Sequence, residues 1–302
     1  MKKTAVIVLA LVASLTLSAT AFADVNQISY SGGWVESPLV TGNYVSVAGN
    51  GHSMGGAQAA RADGGIDFVY WSGGWTTSPQ ISGTKYVSIS TDPRNNVGYL
   101  YAARADGGID WINYFGGWTA SALVTGNYVS VVANGNNAVG GCYAARADGG
   151  IDLIAWSGGW VASPLITGTT YVSLTEDTAN PGLFYGARAD GGVDWIAWSG
   201  GWQAAQLVNG NYVALGAAGT GQGGCMAARA DGGVDWINYY GGWTASSLVT
   251  GTKYVALSTQ LSNDGTRSPA LYGATAVPEP SSLVALGSCF AGLIGFAIRR
   301  RK

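Results

Sequence analysis

Residues 99–132 read YLYAARADGGIDWINYFGGWTASALVTGNYVSVV, short apolar and aromatic runs broken by Gly-rich triplets. Tyr99 to Arg104 and Ile109 to Tyr114, rich in β-branched and aromatic side chains, predict two strands around an Asp106-Gly107-Gly108 turn. After Gly116-Gly117 a third, weaker strand covers Trp118 to Val124. A further turn at Thr125-Gly126-Asn127 leads to a fourth, Tyr128 to Val132. Nothing between residues 24 and 276 sustains a 3.6-residue apolar period. The same pattern returns along the chain. Gly-Gly-Trp occurs six times, with Trp at 34, 75, 118, 160, 202 and 243, and Arg-Ala-Asp-Gly-Gly five times, with Asp at 63, 106, 148, 190 and 231.

Four short strands per repeat of 41–43 residues predict an all-β fold, a six-bladed β-propeller of four-stranded blades. The sixth copy stops at residues 271–276, a first hairpin strand without its partner, and residues 25–30 read as that partner. The last blade is therefore expected to be closed by the N-terminal strand, leaving no open edge in the ring. Blades would run 34–71, 75–114, 118–156, 160–198 and 202–239, with 243–274 completed by 25–30. Gly-Asn-Tyr at 42–44, 126–128 and 210–212 alternates with Gly-Thr-Lys or Gly-Thr-Thr at 83–85, 168–170 and 251–253. Three two-blade units fit one pseudo-threefold ring; two tandem β-trefoils would group the repeats three and three.

Composition narrows the chemistry. There are 48 Gly, 12 Trp and 16 Tyr in 302 residues, one His (His52) and three Cys. These counts argue against a His-based triad, a Cys-cluster zinc site and a disulfide scaffold. Cys142 and Cys225 sit at equivalent positions two blades apart, too far for a disulfide, and are expected to be free and buried. Residues 24–276 carry a net charge of −7, which argues against a nucleic-acid partner. No cofactor and no metal are expected.

Both ends read as addresses. Residues 1–23 have Lys2 and Lys3, an apolar stretch and Ala21-Phe22-Ala23, a secretory signal peptide cleaved between Ala23 and Asp24. At the other end come Pro278-Glu279-Pro280, an uncharged segment 283–298, then Arg299, Arg300, Arg301 and Lys302. Sixteen residues make a short transmembrane helix of ~24 Å, with the basic cluster held cytoplasmic. Short helices are expected only in these two terminal segments. The order of motif, apolar segment and basic cluster closely resembles the PEP-CTERM sorting tail of Gram-negative bacteria. The resemblance covers residues 277–302. It implies transient anchoring in the membrane, processing by an exosortase near Pro278-Glu279-Pro280, and delivery to the cell surface or extracellular matrix.

The hairpin Arg104-Ala-Asp-Gly-Gly-Ile-Asp-Trp111 resembles the Asp-box of sialidase-type propellers, with Arg104 and Asp110 where that motif has Ser and Thr. The resemblance implies a structural turn. Each Arg lies six residues before an Asp: Arg61, Arg104, Arg146, Arg188 and Arg229 precede Asp67, Asp110, Asp152, Asp194 and Asp235. A three-residue loop would set each pair face to face, and other loop lengths would turn the Arg toward Trp or Leu. The two readings are an ion pair fixing blade register and a ligand pocket. Trp34, Trp75, Trp118, Trp160, Trp202 and Trp243 form the second repeated array, for blade packing or for stacking on a sugar face. Trp71, Trp156 and Trp198 add aromatics near the same turns. The layout is loosely similar to that of propeller lectins, six-bladed fucose-binding ones among them. A Ca²⁺ site at the Asp-Gly-Gly turns lacks oxygen ligands. A glycosidase lacks paired carboxylates, since only Glu36 and Glu176 stand outside the sorting motif. The expectation is a non-catalytic, surface-sorted binder of extracellular polysaccharide or glycans. A structural or protein-binding propeller is the alternative, and a sialidase-like or other hydrolase ranks third.

Overall fold

A computed structural model describes residues 24–49, 56–92, 99–114, 116–135, 140–218, 223–260 and 270–276. The expected signal peptide with its expected cleavage residue Ala23, the Pro278-Glu279-Pro280 motif and the helix expected at 283–298 lie outside the described residues. Residues 23–276 form one compact unit.

The unit is an all-β propeller of six four-stranded antiparallel sheets. Blade 6 is composite: β1 (Val25–Tyr30) and β2 (Trp34–Val40) from the N-terminus join β23 (Tyr254–Gln260) and β24 (Ala270–Thr275). Blade 1 contains β3 (Tyr44–Gly49), β4 (Ala57–Arg61), β5 (Ile66–Trp71) and β6 (Trp75–Ile81). Blade 2 contains β7 (Tyr86–Thr91), β8 (Leu100–Arg104), β9 (Ile109–Tyr114) and β10 (Trp118–Val124). Blade 3 contains β11 (Tyr128–Ala133), β12 (Cys142–Arg146), β13 (Ile151–Trp156) and β14 (Trp160–Ile166). Blade 4 contains β15 (Tyr171–Glu176), β16 (Phe184–Arg188), β17 (Val193–Trp198) and β18 (Trp202–Val208). Blade 5 contains β19 (Tyr212–Ala217), β20 (Cys225–Arg229), β21 (Val234–Tyr239) and β22 (Trp243–Val249).

Six blades, four strands each and N-terminal closure match the sequence reading, but the blade frame moves by one strand. The Gly-Gly-Trp strand ends a blade instead of starting one, because Trp75 pairs directly with Trp71 across a tight turn. The next connection, Ser82 to Lys85, crosses to β7 and is not a hairpin. The N-terminus therefore contributes two strands to blade 6, and the last blade spans residues 254–275 and 25–40.

The inner strands β3, β7, β11, β15, β19 and β23 surround a central channel. They belong to different sheets, and serine hydroxyls join several of them. Backbone N–H groups of Ile89, Val131, Leu174 and Leu215 donate to Oγ of Ser46, Ser88, Ser130 and Ser173 in the preceding blade. One apolar cluster fills each blade interface, with Ile, Val and Ala from one sheet against an inner-strand Tyr and its neighbours from the next. The two-blade period has a physical counterpart in alternate interfaces. Tyr101, Tyr185 and Tyr272, from blades 2, 4 and 6, accept at their hydroxyls from the N–H of Gly141, Gly224 and Gly56 in the following blade. Cys142 and Cys225 are free and buried beside the first two of these contacts, and burial pushes both thiols well up.

Each Asp-Gly-Gly hairpin is a three-residue loop framed one residue earlier than its name suggests. Arg61 N–H donates to Gly65 O, and Ala60 and Ala59 face Ile66 and Asp67. The loop proper is Ala62-Asp63-Gly64. Arg61 and Asp67 are therefore diagonal neighbours on one face, and not directly opposite. The second Gly is required. Gly108 has φ +95°, and a Cβ there would sit 2.7 Å from Arg104 Nη2 and 2.6 Å from Val124 O.

The diagonal pair is completed by an inner-strand Tyr. In blade 2, Arg104 Nη1 donates to Asp110 Oδ1 at 2.9 Å, and Tyr86 OH donates to Asp110 Oδ2 at 3.0 Å. The side chain of Asp110 is only 6% exposed. The same Tyr–Asp–Arg set recurs in blades 1, 3, 4 and 5. Asp110→Ala leaves a buried guanidinium edge and a buried phenol unpaired, so it should cost about 2–4 kcal/mol. Asp106→Ala, which removes a carboxylate 80% exposed, should cost under about 1 kcal/mol. Urea denaturation of the two variants checks the contrast.

Candidate functional site

The repeated arginines are committed to their own hairpins. Arg104 Nε donates to Asp106 Oδ1 at 3.0 Å and to Gly107 O at 2.9 Å, and Nη2 donates to Gly107 O at 2.6 Å. In all five hairpins Nε meets the loop Asp and Nη1 meets the buried Asp. Arg61, Arg104, Arg146, Arg188 and Arg229 are thus gathered at the hairpin tips, at the end of each second strand. The tips also bond to the crossovers between blades: Ala62 N–H to Asn43 O, and Gly65 N–H to Thr84 O.

Trp34, Trp75, Trp118, Trp160, Trp202 and Trp243 start the six outer strands, at the other end of the blade. All six are half-buried, and each packs against one of the six interface clusters. Trp202 meets Phe184 of its own blade and Tyr143 of the preceding one, ring centroids 5.8 and 5.6 Å away. Packing is thus a role these indoles fill, although an edge of each remains accessible.

Directly across the ladder from each of these Trp lies a more exposed ring. The pairs are Tyr30–Trp34, Trp71–Trp75, Tyr114–Trp118, Trp156–Trp160, Trp198–Trp202 and Tyr239–Trp243. All six pairs meet edge to face, with centroids 5.6–6.0 Å apart. The outer ring is 48–63% exposed in each case. Each outer ring meets a Trp that packs on an interface cluster, and much of its own apolar surface stays open to solvent. The sequence reading noted Trp71, Trp156 and Trp198. The Tyr residues completing the set, Tyr30, Tyr114 and Tyr239, were missed because the position takes either of two residue types. Beside the Trp160 platform runs a shallow groove, lined by Ala122–Thr125 of blade 2 and Trp160–Ala162 of blade 3.

The two glutamates lie in separate settings. Glu36 accepts from Asn26 Nδ2 and Thr252 Oγ1 at the blade 6 seam, where Asn26 and Thr275 occupy the Asp and Arg positions of the other blades. Glu176 ends β15 on the channel wall and is the one ionisable residue among the channel-lining residues described. Burial, then the carboxylates of Asp92 and Asp177, push its pKa up to about 7.

Comparisons with known proteins bear on the tail and on the fold of the body. Residues 276–302 match the PEP-CTERM protein-sorting motif. No curated protein matches the sequence. The propeller is similar in fold to AofleA from Arthrobotrys oligospora, at 17% identity over 77% of this chain and 80% of that one, with a TM-score of 0.56. It is also similar to the SapL1 lectin solved in complex with alpha methyl fucoside, at 17% identity over 76% and 89% of the two chains and a TM-score of 0.55. The β-propeller domain of Cps50 (Swd1) from Myceliophteria thermophila aligns at 9% identity over 80% and 86%, with a TM-score of 0.51. At these identities the likeness is one of fold.

The channel carboxyl yields a pH prediction. A folded pKa raised from 4.5 to about 7 means the native state holds the proton more tightly than the unfolded chain. Stability from this group is full below about pH 4.5 and falls as pH rises through about 7, by roughly 3 kcal/mol in all. Glu176→Gln should flatten the loss between pH 5 and pH 7.5. Urea midpoints measured across that range test it.

Proposed function

We propose that this chain is a surface-sorted, non-catalytic glycan-binding propeller that engages neutral sugars on its rim aromatics. The observation that carries the reading is the sixfold repeat of an exposed ring in T-shaped contact with a half-buried Trp. An aromatic face receives the C–H face of a pyranose. Six weak sites on one ring gain avidity on a polymer without new contacts. The sorting motif supports export across the inner membrane, transient anchoring by the tail, exosortase processing and delivery to a Gram-negative cell surface or matrix. The sugar complex of SapL1 supports the ligand class through a shared fold. The Trp34-series indoles supply the inner wall of each platform, and the Arg61-series guanidinia hold the hairpins.

A structural or protein-binding role is the second reading. It is favoured by the unpaired outer edges of β10, β18 and β22, which lack the proline found in β2, β6 and β14.

A glycan array probed with residues 24–276 tests the first reading. Saturable binding is expected. The double variant Trp156→Ala/Trp198→Ala should weaken it at least tenfold while stability changes by under about 1 kcal/mol. Trp160→Ala should instead destabilise the fold by about 2–4 kcal/mol. An array without binding, or binding untouched by loss of the exposed rings, would overturn the glycan reading.

A further inference from the structure

The slot that holds the tip arginine in five blades has a different content in blade 6. In each Arg-Ala-Asp-Gly-Gly hairpin the second Gly lies against the guanidinium. A Cβ added to Gly65, Gly108, Gly150, Gly192 or Gly233 would stand 2.4–2.8 Å from Nη2 of the arginine in the same hairpin. In blade 6, Thr275 takes the arginine position opposite Tyr254, as Arg61 stands opposite Tyr44. Asp24 takes the position of the second Gly, because Thr275 N–H donates to Asp24 O as Arg61 N–H donates to Gly65 O. The side chain of Asp24 therefore starts where the other blades keep a guanidinium.

The seam has acceptors there and no cation. Among the described residues, Asp24 Oδ1 is buried without a hydrogen-bond partner. So is Oδ1 of Asn26, which stands at the position of the buried Asp, is only 7% exposed, and donates through Nδ2 to Glu36. Leaving such oxygens dry and unpaired is costly. Thr275 has neither the reach nor the charge of an arginine, and its Oγ1 accepts from Asp24 N–H at 2.8 Å. The backbone nitrogen of Asp24 thus already lies in the seam, next to oxygens that lack a donor.

We propose that the chain is cut between Ala23 and Asp24, and that the freed α-ammonium of Asp24 is the cation of blade 6. Hydrolysis of that peptide bond by a signal peptidase gives the hydroxyl of water to the Ala23 carbonyl carbon and a proton to the Asp24 nitrogen. At neutral pH the new amine takes a further proton from solvent. One N–H donor becomes three and gains a positive charge. One of them keeps the bond to Thr275 Oγ1, and the others serve the Asp24 carboxylate and the unpaired Asn26 Oδ1 two residues on. Five blades carry their cation on a side chain, and the sixth receives it when the leader is removed. Before the cut the seam holds a carboxylate without a partner, so the precursor closes its ring less firmly than the processed chain.

Two forms of the body test this. One starts at Asp24 with a free amino group. The other keeps residues 19–23 ahead of Asp24, so that the same nitrogen stays an amide. At pH 7 the form starting at Asp24 should be the more stable, with a folded-to-unfolded ratio roughly tenfold higher at one urea concentration. A cation that gains a carboxylate partner has its folded pKa raised. Its contribution is complete below the ordinary α-amino value of ~7.7–8.0 and is lost as pH rises through the folded value. The gap between the forms should therefore close by about pH 10.5. The other groups around the seam are the same in both forms: the carboxylates of Asp24 and Glu36, Lys253 and the Arg229–Asp231 tip on the blade 5 side, and the Tyr254 phenol, which burial and Glu36 push well up. In Asp24→Asn chains the gap at pH 7 should narrow by at least half. A gap untouched by that substitution would overturn the pairing with this carboxylate. Equal stability at pH 7 would overturn the proposal, and if both forms then gained from added Ca²⁺ the slot would belong to an inorganic cation. A gap unchanged up to about pH 10.5 would also overturn it, because bulk of the extra residues and not charge would be its cause.

Discussion

One buried carboxylate per blade organises most of this protein. In five blades an Asp on the third strand takes a guanidinium from the hairpin tip and a phenol from the inner strand, tying three of the four strands at one point. Burying such a group alone would be costly, and the fold answers by giving both oxygens a donor. Burial and the adjacent carboxylate both push the phenol of Tyr86 well up, so it stays a donor at any physiological pH. The arrangement also explains the exception. Blade 6 has chain ends where the others have a loop, and Thr275 stands at the position of the tip arginine. There Asn26, Glu36 and Thr252 form a different hydrogen-bonded set.

Much of the fold was legible because each strand is bounded by glycines, which punctuate the sequence strongly. The strand boundaries, the sixfold count and closure by the N-terminus could all be read from that punctuation. The blade frame could not. Trp75 pairs with Trp71, yet the sequence marks the turn before Trp75 and the crossover after Ile81 with similar Gly-containing triplets. The hairpin register stayed open for a related reason: Asp-Gly-Gly names three residues, but the closing bond from Arg61 to Gly65 leaves Ala62 in the loop and Gly65 outside it. A one-residue difference in frame decides whether Arg61 faces Asp67 directly or diagonally.

Other features also leave a mark in the sequence. Ser46, Ser88, Ser130 and Ser173 repeat within Tyr-Val-Ser, and their inter-blade bonds explain a polar residue on an otherwise apolar strand. The hydroxyls of Tyr101, Tyr185 and Tyr272 accept from the next blade at every second interface, whereas Tyr143 at the equivalent position of blade 3 donates to Gly182 O. At the candidate site, the invariant Trp drew attention while its variable neighbour holds the accessible surface. Invariance in a repeat follows from packing at every interface. A position that accepts Tyr or Trp but stays aromatic is one where a ring face, and not one shape, is needed.

The twelve indoles therefore fall into classes by what they touch, and that separation can be observed in one experiment. Uniformly ¹⁵N-labelled protein, residues 24–276, would be titrated with the array-selected glycan while the indole N–H resonances are followed. The account predicts that Trp71, Trp156 and Trp198 shift first and most, with smaller changes at the Trp34-series partners. Trp111, Trp195 and Trp236, whose indole nitrogens are buried, should stay in place. Shifts confined to those three buried indoles, with the exposed ones unmoved, would contradict it.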